Sequence, residues 1–261
     1  MNRISATLVS IFIMTSACGC GQKAEQATPA QNAAAPAAEA PFSKTIDPST
    51  AGTLKGKVTF AGEAPAPREL QMAGNPECSV LHPQGKALSE ELLVSAGSLQ
   101  NVFVYVKEGL EGNHFDPPAE PVTITNQGCL YVPHVAGVQV GQPLILLNND
   151  QTLHNIHAYP KNSTPFNLGL PFQGMKQTKK FTSPEVMVKM KCDVHPWMEG
   201  YIGVLPHPYF AVSDSSGAFE IKNLPPGEYT IEAWHEKLGV QSQKVTIEPR
   251  GTKEIEFKFS A

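Results

Sequence analysis

Short apolar runs, each soon cut off by glycine, proline, asparagine or aspartate, recur along this chain from Leu54 to Phe259. Long helices cannot be built from such pieces, because glycine and proline weaken helix interiors and both punctuate strands. With 21 Gly and 23 Pro in 261 residues, a helix bundle or long coiled coil is excluded and an all-β chain is expected. The side-chain periods agree. Leu54, Val58 and Phe60 fall on one face of a strand with Lys55 and Lys57 on the other, and Ile255–Phe259 alternates in the same way. Val102–Val106 is apolar on both faces and reads as an interior strand. Val122–Thr125, Val138–Val140, Leu144–Leu147, Val186–Cys192 and Tyr201–Leu205 continue the series. Only Ala87–Val94, with its Ser89-Glu90-Glu91 start, predicts a helix. Two β-sandwiches account for this many strands.

The first fifty residues do not belong to that pattern. Residues 1–20 carry one charge, Arg3, then an apolar run from Ile4 to Met14, then small residues ending in Cys18-Gly19-Cys20. This is an export signal, too short to span a bilayer stably. Its end resembles a bacterial lipoprotein cleavage site, which implies lipidation at Cys20, or at Cys18, and localisation in the periplasm or at the cell surface. Residues 21–50 form an Ala/Pro-rich tether; nine of the 29 residues from Gln22 to Thr50 are Ala and four are Pro. Such a segment buries too little apolar surface to offset its ordering entropy. The net charge of -4, from 20 basic and 24 acidic side chains, excludes a nucleic-acid partner of the basic-patch kind.

The chemistry lies between residues 122 and 205. Cys192-Asp193-Val194-His195-Pro196-Trp197-Met198 spaces Cys, His and Met three residues apart just after a strand, and Asn148-Asn149-Asp150 followed by His154-Asn155-Ile156-His157 lies upstream. One thiolate, two imidazoles and a thioether make the donor set of a mononuclear blue-copper electron-transfer site. Zinc wants a fourth strong ligand, which methionine does not provide. A tight loop after a strand fixes three donors, and a histidine on a neighbouring strand closes the site. Such a rigid frame has little to reorganise when one electron moves.

The run from Val122 to His157, "VTITNQGCLYVPHVAGVQVGQPLILLNNDQTLHNIH", together with the Cys192–Met198 loop, resembles a cupredoxin, and the short loop is most similar to that of amicyanin. The resemblance implies copper ligands at His154, Cys192, His195 and Met198. It implies that Asn155 ties the two ligand segments together, and that His195 reaches the surface through an apolar patch beside Trp197. His157 is not implied as a ligand, and His82, His114, His134, His207 and His235 read as ordinary histidines. Trp197 either joins the patch or packs into the sandwich. Lys176, Lys179, Lys180, Lys189 and Lys191 face a single acid, Glu185, near the site, either as a patch for an acidic partner or as plain solvent-facing positions.

A second resemblance flanks the first. "SDSSGAFEIKNLPPGEYTIEAWHE", from Ser213 to Glu236, with "GKVTFAG" at Gly56–Gly62 and "NVFVYVKEG" at Asn101–Gly109, is similar to a carboxypeptidase regulatory-like domain, a prealbumin-type, carbohydrate-binding-like sandwich. The expected organisation is a host sandwich of residues 51–115 and 207–261 with a Greek-key cupredoxin sandwich, 116–206, inserted in it. With Cys192 on copper and one N-terminal cysteine lipidated, Cys78 and Cys129 remain, and an oxidising compartment makes their disulfide the default. The expected function is single-electron transfer between redox partner proteins, on a membrane-bound lipid anchor. Binding of carbohydrate or protein by the host sandwich, and copper storage or delivery, are the alternatives. No enzyme is expected, since the chain has one mononuclear ligand set and no paired His-x-His or His-Cys-His motif. It also lacks a Cys-x2-Cys-His haem site.

Overall fold

The computed structural model describes residues 47–260 except residue 84. The expected leader, 1–20, its two cysteines and most of the tether lie outside the described residues. Alternating apolar side chains produce strands nearly throughout. Four come first: β1 (Gly52–Ala61), β2 (Val94–Ser95), β3 (Ser98–Leu99) and β4 (Phe103–Glu108). Nine follow: β5 (Val122–Gln127), β6 (Leu130–Val132), β7 (Val135–Gln139), β8 (Leu144–Asn148), β9 (His154–Ala158), β10 (Phe166–Leu170), β11 (Lys176–Lys179), β12 (Glu185–Lys191) and β13 (Glu199–Leu205). The last five are β14 (Phe210–Val212), β15 (Ala218–Leu224), β16 (Gly227–His235), β17 (Gly239–Ile247) and β18 (Thr252–Ser260).

The first and last groups build one sandwich. β1 lies antiparallel to β15 and β3 on one side and parallel to β18 on the other. The facing sheet runs β14-β4-β16-β17. Leu54, Val58 and Phe60 of β1 enter its core with Phe219, Ile221, Ile231, Phe257 and Phe259, each such burial contributing about 1.5–3 kcal/mol. The middle group builds the second sandwich, from sheets β10-β9-β12-β13-β7 and β11-β8-β5-β6. Its β5–β8 and β7–β13 pairs are parallel. The fold is all-β, one sandwich inserted in the other.

The two are packed together. Phe103, Tyr105, Val135 and Leu205 form a third apolar cluster between them, joined by Tyr201, Phe210 and Trp234. Gly137 and Gly203, partners across β7 and β13, make the seat: a Cβ on Gly137 would lie 2.3 Å from the Phe210 ring, and one on Gly203 2.3 Å from the Phe103 ring. Only hydrogen fits there. His134 of the inserted sandwich also hydrogen-bonds Glu236 of the host.

The segment between β1 and β2 departs from the expectation. No helix forms over Ala87–Val94. Leu70 N–H donates to Ala87 O and Ser89 N–H to Arg68 O, so extended pairing and burial of Ala87 override the local helical preference. The helix is instead α1 (Pro76–Ser79), one turn opened by proline. Leu70, Met72, Cys78 and Ala87 from this arm pack in the core of the inserted sandwich, although the arm leaves from the host.

Candidate metal centre

His154 opens β9, and Cys192 follows β12 directly. The strand alternation turns His154, Ile156 and Ala158 inward, with Met190 and Cys192 on the same inner side of the neighbouring strand. The loop after Cys192 is closed by its own backbone: Met198 N–H donates to His195 O at 2.9 Å, and Cys192 N–H donates to Met198 O at 3.1 Å. Three candidate donors are therefore held on one turn. His154 Nδ1 and His195 Nδ1 lie 3.0 Å apart, and Cys192 Sγ lies 3.8 Å from His195 Nδ1. Single donor atoms of His154, Cys192 and His195 are all within 4.8 Å of one another. Met198 is buried at the end of the same turn.

Side chains around these residues fix their orientation. Asn155 Oδ1 accepts from Cys192 Sγ at 3.2 Å and from Asp193 N–H at 2.7 Å, bridging the two segments. Asp150 is the residue the sequence did not single out by role. Its buried carboxylate lies 2.9 Å from His154 Nε2 and accepts the N–H groups of Gly128 and Cys129, each at 2.8 Å. It thereby leaves His154 Nδ1 to face the centre. The only sequence signal was the four-residue step from Asp150 to His154 across a strand end.

Electrostatics favour a thiolate. Burial pushes the Cys192 thiol up, but hydrogen bonding to His154, His195 and Asn155 outweighs it and brings the thiol down to about 6. Burial pushes the Asp150 carboxyl up, but the His154 contact and two backbone N–H donors hold it below the usual range. These donors fit copper. Two imidazole nitrogens facing each other at 3.0 Å, a thiolate-forming cysteine beside them and a buried thioether make a soft, water-excluded set, while the Asp150 carboxylate sits at His154 Nε2, away from Nδ1.

One expectation is corrected. His195 does not reach the surface; it is 0% exposed, and its Nε2 has no hydrogen-bond partner among the described residues. The arm from the host covers it. Cys78, on α1, is disulfide-bonded to Cys129, and both sulfurs lie within 4.8 Å of a His195 ring nitrogen. His82 Nε2 adds a contact to Gly128 O at 2.8 Å. Trp197 turns inward, its indole N–H donating to Cys129 O at 3.0 Å. Lys189 and Lys191 are solvent-side positions of β12, and both pair with Glu199, at 2.8 and 3.0 Å. Glu199 lies beyond the loop and was not counted against the lysines in the sequence.

A family model described as polysaccharide lyase family 4, domain II, matches residues 207–255, whereas the sequence strings there resembled a carboxypeptidase regulatory-like domain. No curated protein sequence matches the chain significantly. Among solved structures, a copper-containing nitrite reductase from Thermus scotoductus SA-01 is similar at 24% identity over 37% of this chain and 24% of that one, with a TM-score of 0.31. The chain thus spans about a quarter of that enzyme's length. A purple cupredoxin from Nitrosopumilus maritimus is similar at 25% identity over 32% of this chain and 98% of that one, with a TM-score of 0.27. An oxidised amicyanin variant is similar at 21% identity over 32% of this chain and 81% of that one, with a TM-score of 0.29.

Proposed function

We propose that this chain is an exported type 1 blue-copper protein that carries single electrons between redox partner proteins. The observation that carries the reading is the buried convergence of His154 Nδ1, His195 Nδ1 and Cys192 Sγ, with Met198 buried on the same turn as Cys192 and His195. Copper would supply a one-electron couple there. The residues supply the rest: His154, Cys192, His195 and Met198 as ligands, Asn155 and Asp150 holding them, and the surrounding core excluding water. The buried Cys78–Cys129 disulfide supports an oxidising compartment, the periplasm or cell surface. A lipid on Cys20, or on Cys18, would anchor the protein to the membrane; a mass spectrum of the mature N-terminus tests this.

The deciding experiment is the visible spectrum of the copper-loaded protein. An intense thiolate-to-copper band, lost and recovered on one-electron reduction and reoxidation, is expected. A colourless copper-loaded protein overturns the reading.

A second reading, carbohydrate binding by the host sandwich, is favoured by the family match over 207–255 and by an open groove of about 990 Å³ bordered by Lys55, Lys57, Asp214, Glu220 and Glu256. Glycan retention that persists in Cys192→Ser would support it; no retention by the intact protein would remove it.

A further inference from the structure

None of the four candidate ligands reaches solvent directly, and the half-buried Trp197 ring beside His195, 5.2 Å away, has its indole N–H tied to Cys129 O. His154 and His195 are 0% exposed and Met198 is buried. The disulfide-anchored arm lies on His195, and beside the buried Cys78 it presents Glu77, Ser79, Val80 and Leu81 to solvent. The Cys192 side is different. From Cys192 Sγ a chain of polar contacts runs outward: 3.2 Å to Asn155 Oδ1, then from Asn155 Nδ2 2.9 Å to Asp193 Oδ2. His157 Nδ1 lies 3.2 Å from each Asp193 oxygen and 2.9 Å from the Tyr159 hydroxyl. The His157 and Tyr159 rings stack, with centroids 4.1 Å apart, and Tyr159 is 44% exposed. The strand period explains the line-up: Asn155, His157 and Tyr159 share the outer face, opposite His154 and Ile156.

Electronic coupling falls off faster through gaps than through bonds and hydrogen bonds, so this bonded route is favoured over one across the covered His195. We propose that electrons enter and leave on the Cys192 side, through the stacked His157–Tyr159 pair, where the partner docks. This rests on the copper reading above. The partner's chemistry follows from local charge. Lys189 and Lys191 share the single Glu199, leaving one positive charge, and the Asp193 carboxylate, held by the Asn155 and Asn167 amides, offsets it. An aromatic, nearly neutral patch fits a one-electron protein whose cofactor edge is framed by uncharged side chains, not one steered by a strong opposite charge.

Charge placed on the surface reports where a small reagent accepts the electron. The full chain, loaded with Cu(I), is mixed with ferricyanide, a trianion that takes one electron and becomes ferrocyanide as Cu(I) becomes Cu(II). Tyr159→Glu should slow this about fivefold at 0.1 M salt, and Tyr159→Lys should speed it by a similar factor, as Coulomb's law with screening gives for a trianion about 7 Å from the new charge. Val80→Glu and Val80→Lys, outside the disulfide, should leave the rate unchanged. The visible spectrum and potential should hold in all four variants. A second measurement needs no copper. In the metal-free chain the redox-inert paramagnetic anion hexacyanochromate(III) should broaden the Tyr159 ring signals more in Tyr159→Phe-corrected difference spectra than the Val80 methyls. Rates that respond to charge at Val80, or equally at both positions, overturn the proposal, as does broadening confined to Val80. Absence of the intense band before any mixing would instead defeat the copper reading itself.

Discussion

The two sandwiches use the same alternating strand chemistry but bury different things. In the host, β1, β15, β16 and β18 close on leucine, isoleucine, valine and phenylalanine, and its buried His207 and His235 make hydrogen bonds to backbone, at Val106 O and Lys237 N–H. In the inserted sandwich, one end buries Asn126, Asn148, Asp150, His154, Asn155 and His195 together. These join through contacts such as Asn148 Oδ1 accepting from Asp150 N–H at 3.0 Å. Buried polar groups are costly unless partnered. A cluster of them is therefore a commitment that folding alone does not require, and it coincides with the candidate metal centre.

The comparison can be broken hardest at Cys192. Cys192→Ser should abolish the thiolate-to-copper band completely. Retention of an intense visible band would mean that another donor holds the metal. Next comes the junction. Phe103→Ala should cost about 3–5 kcal/mol and shift urea unfolding of both sandwiches, because the ring fills the seat at Gly203. A loss confined to the host would mean that the two do not unfold as coupled bodies.

Acid should then separate the two kinds of buried histidine. Burial pushes His207 and His235 each down to about 4. From pH 6.5 downward the unfolded chain binds protons that the folded chain refuses, so stability present above pH 6.5 is lost as pH falls toward 4. The loss is up to about 3 kcal/mol per histidine. His207→Gln should flatten that part of the stability-against-pH curve; an unchanged curve would assign the loss elsewhere. The smallest effect is expected at Asp150. Asp150→Asn should weaken copper binding about tenfold and raise the potential, because His154 loses its carboxylate partner. Competition with a chelator measures the first and voltammetry the second; unchanged values would make Asp150 a support for Gly128 and Cys129 only.

How far the sequence carries depends on what each residue's position obeys. Leu54, Val102–Val106 and Ile255–Phe259 follow local period, and their strands were legible. The Cys192–Met198 loop was legible because three donors share one turn and its spacing is its geometry. Three things obey distant contacts instead. Ala87–Val94 is drawn out by pairing with residues 68–70. Glu199 pairs with both lysines of the adjacent strand. The burial of His195 depends on α1, placed there by a disulfide 51 residues long in sequence. None of these leaves a trace in local pattern.

The parallel pairing of β1 with β18 has a consequence for how the molecule is assembled. Thr59 and Glu256, 197 residues apart, hydrogen-bond across those strands, so the host cannot close until its final strand is available. The two sheets of the inserted sandwich contain no strand after β13, and its arm, residues 68–87, comes from chain that precedes it. Chain order thus lets the site-bearing half mature first, and contacts this distant are slow to form. Until then one edge of β1, the one opposite β15 and β3, has no strand beside it, and the nine residues of β18 are its permanent partner.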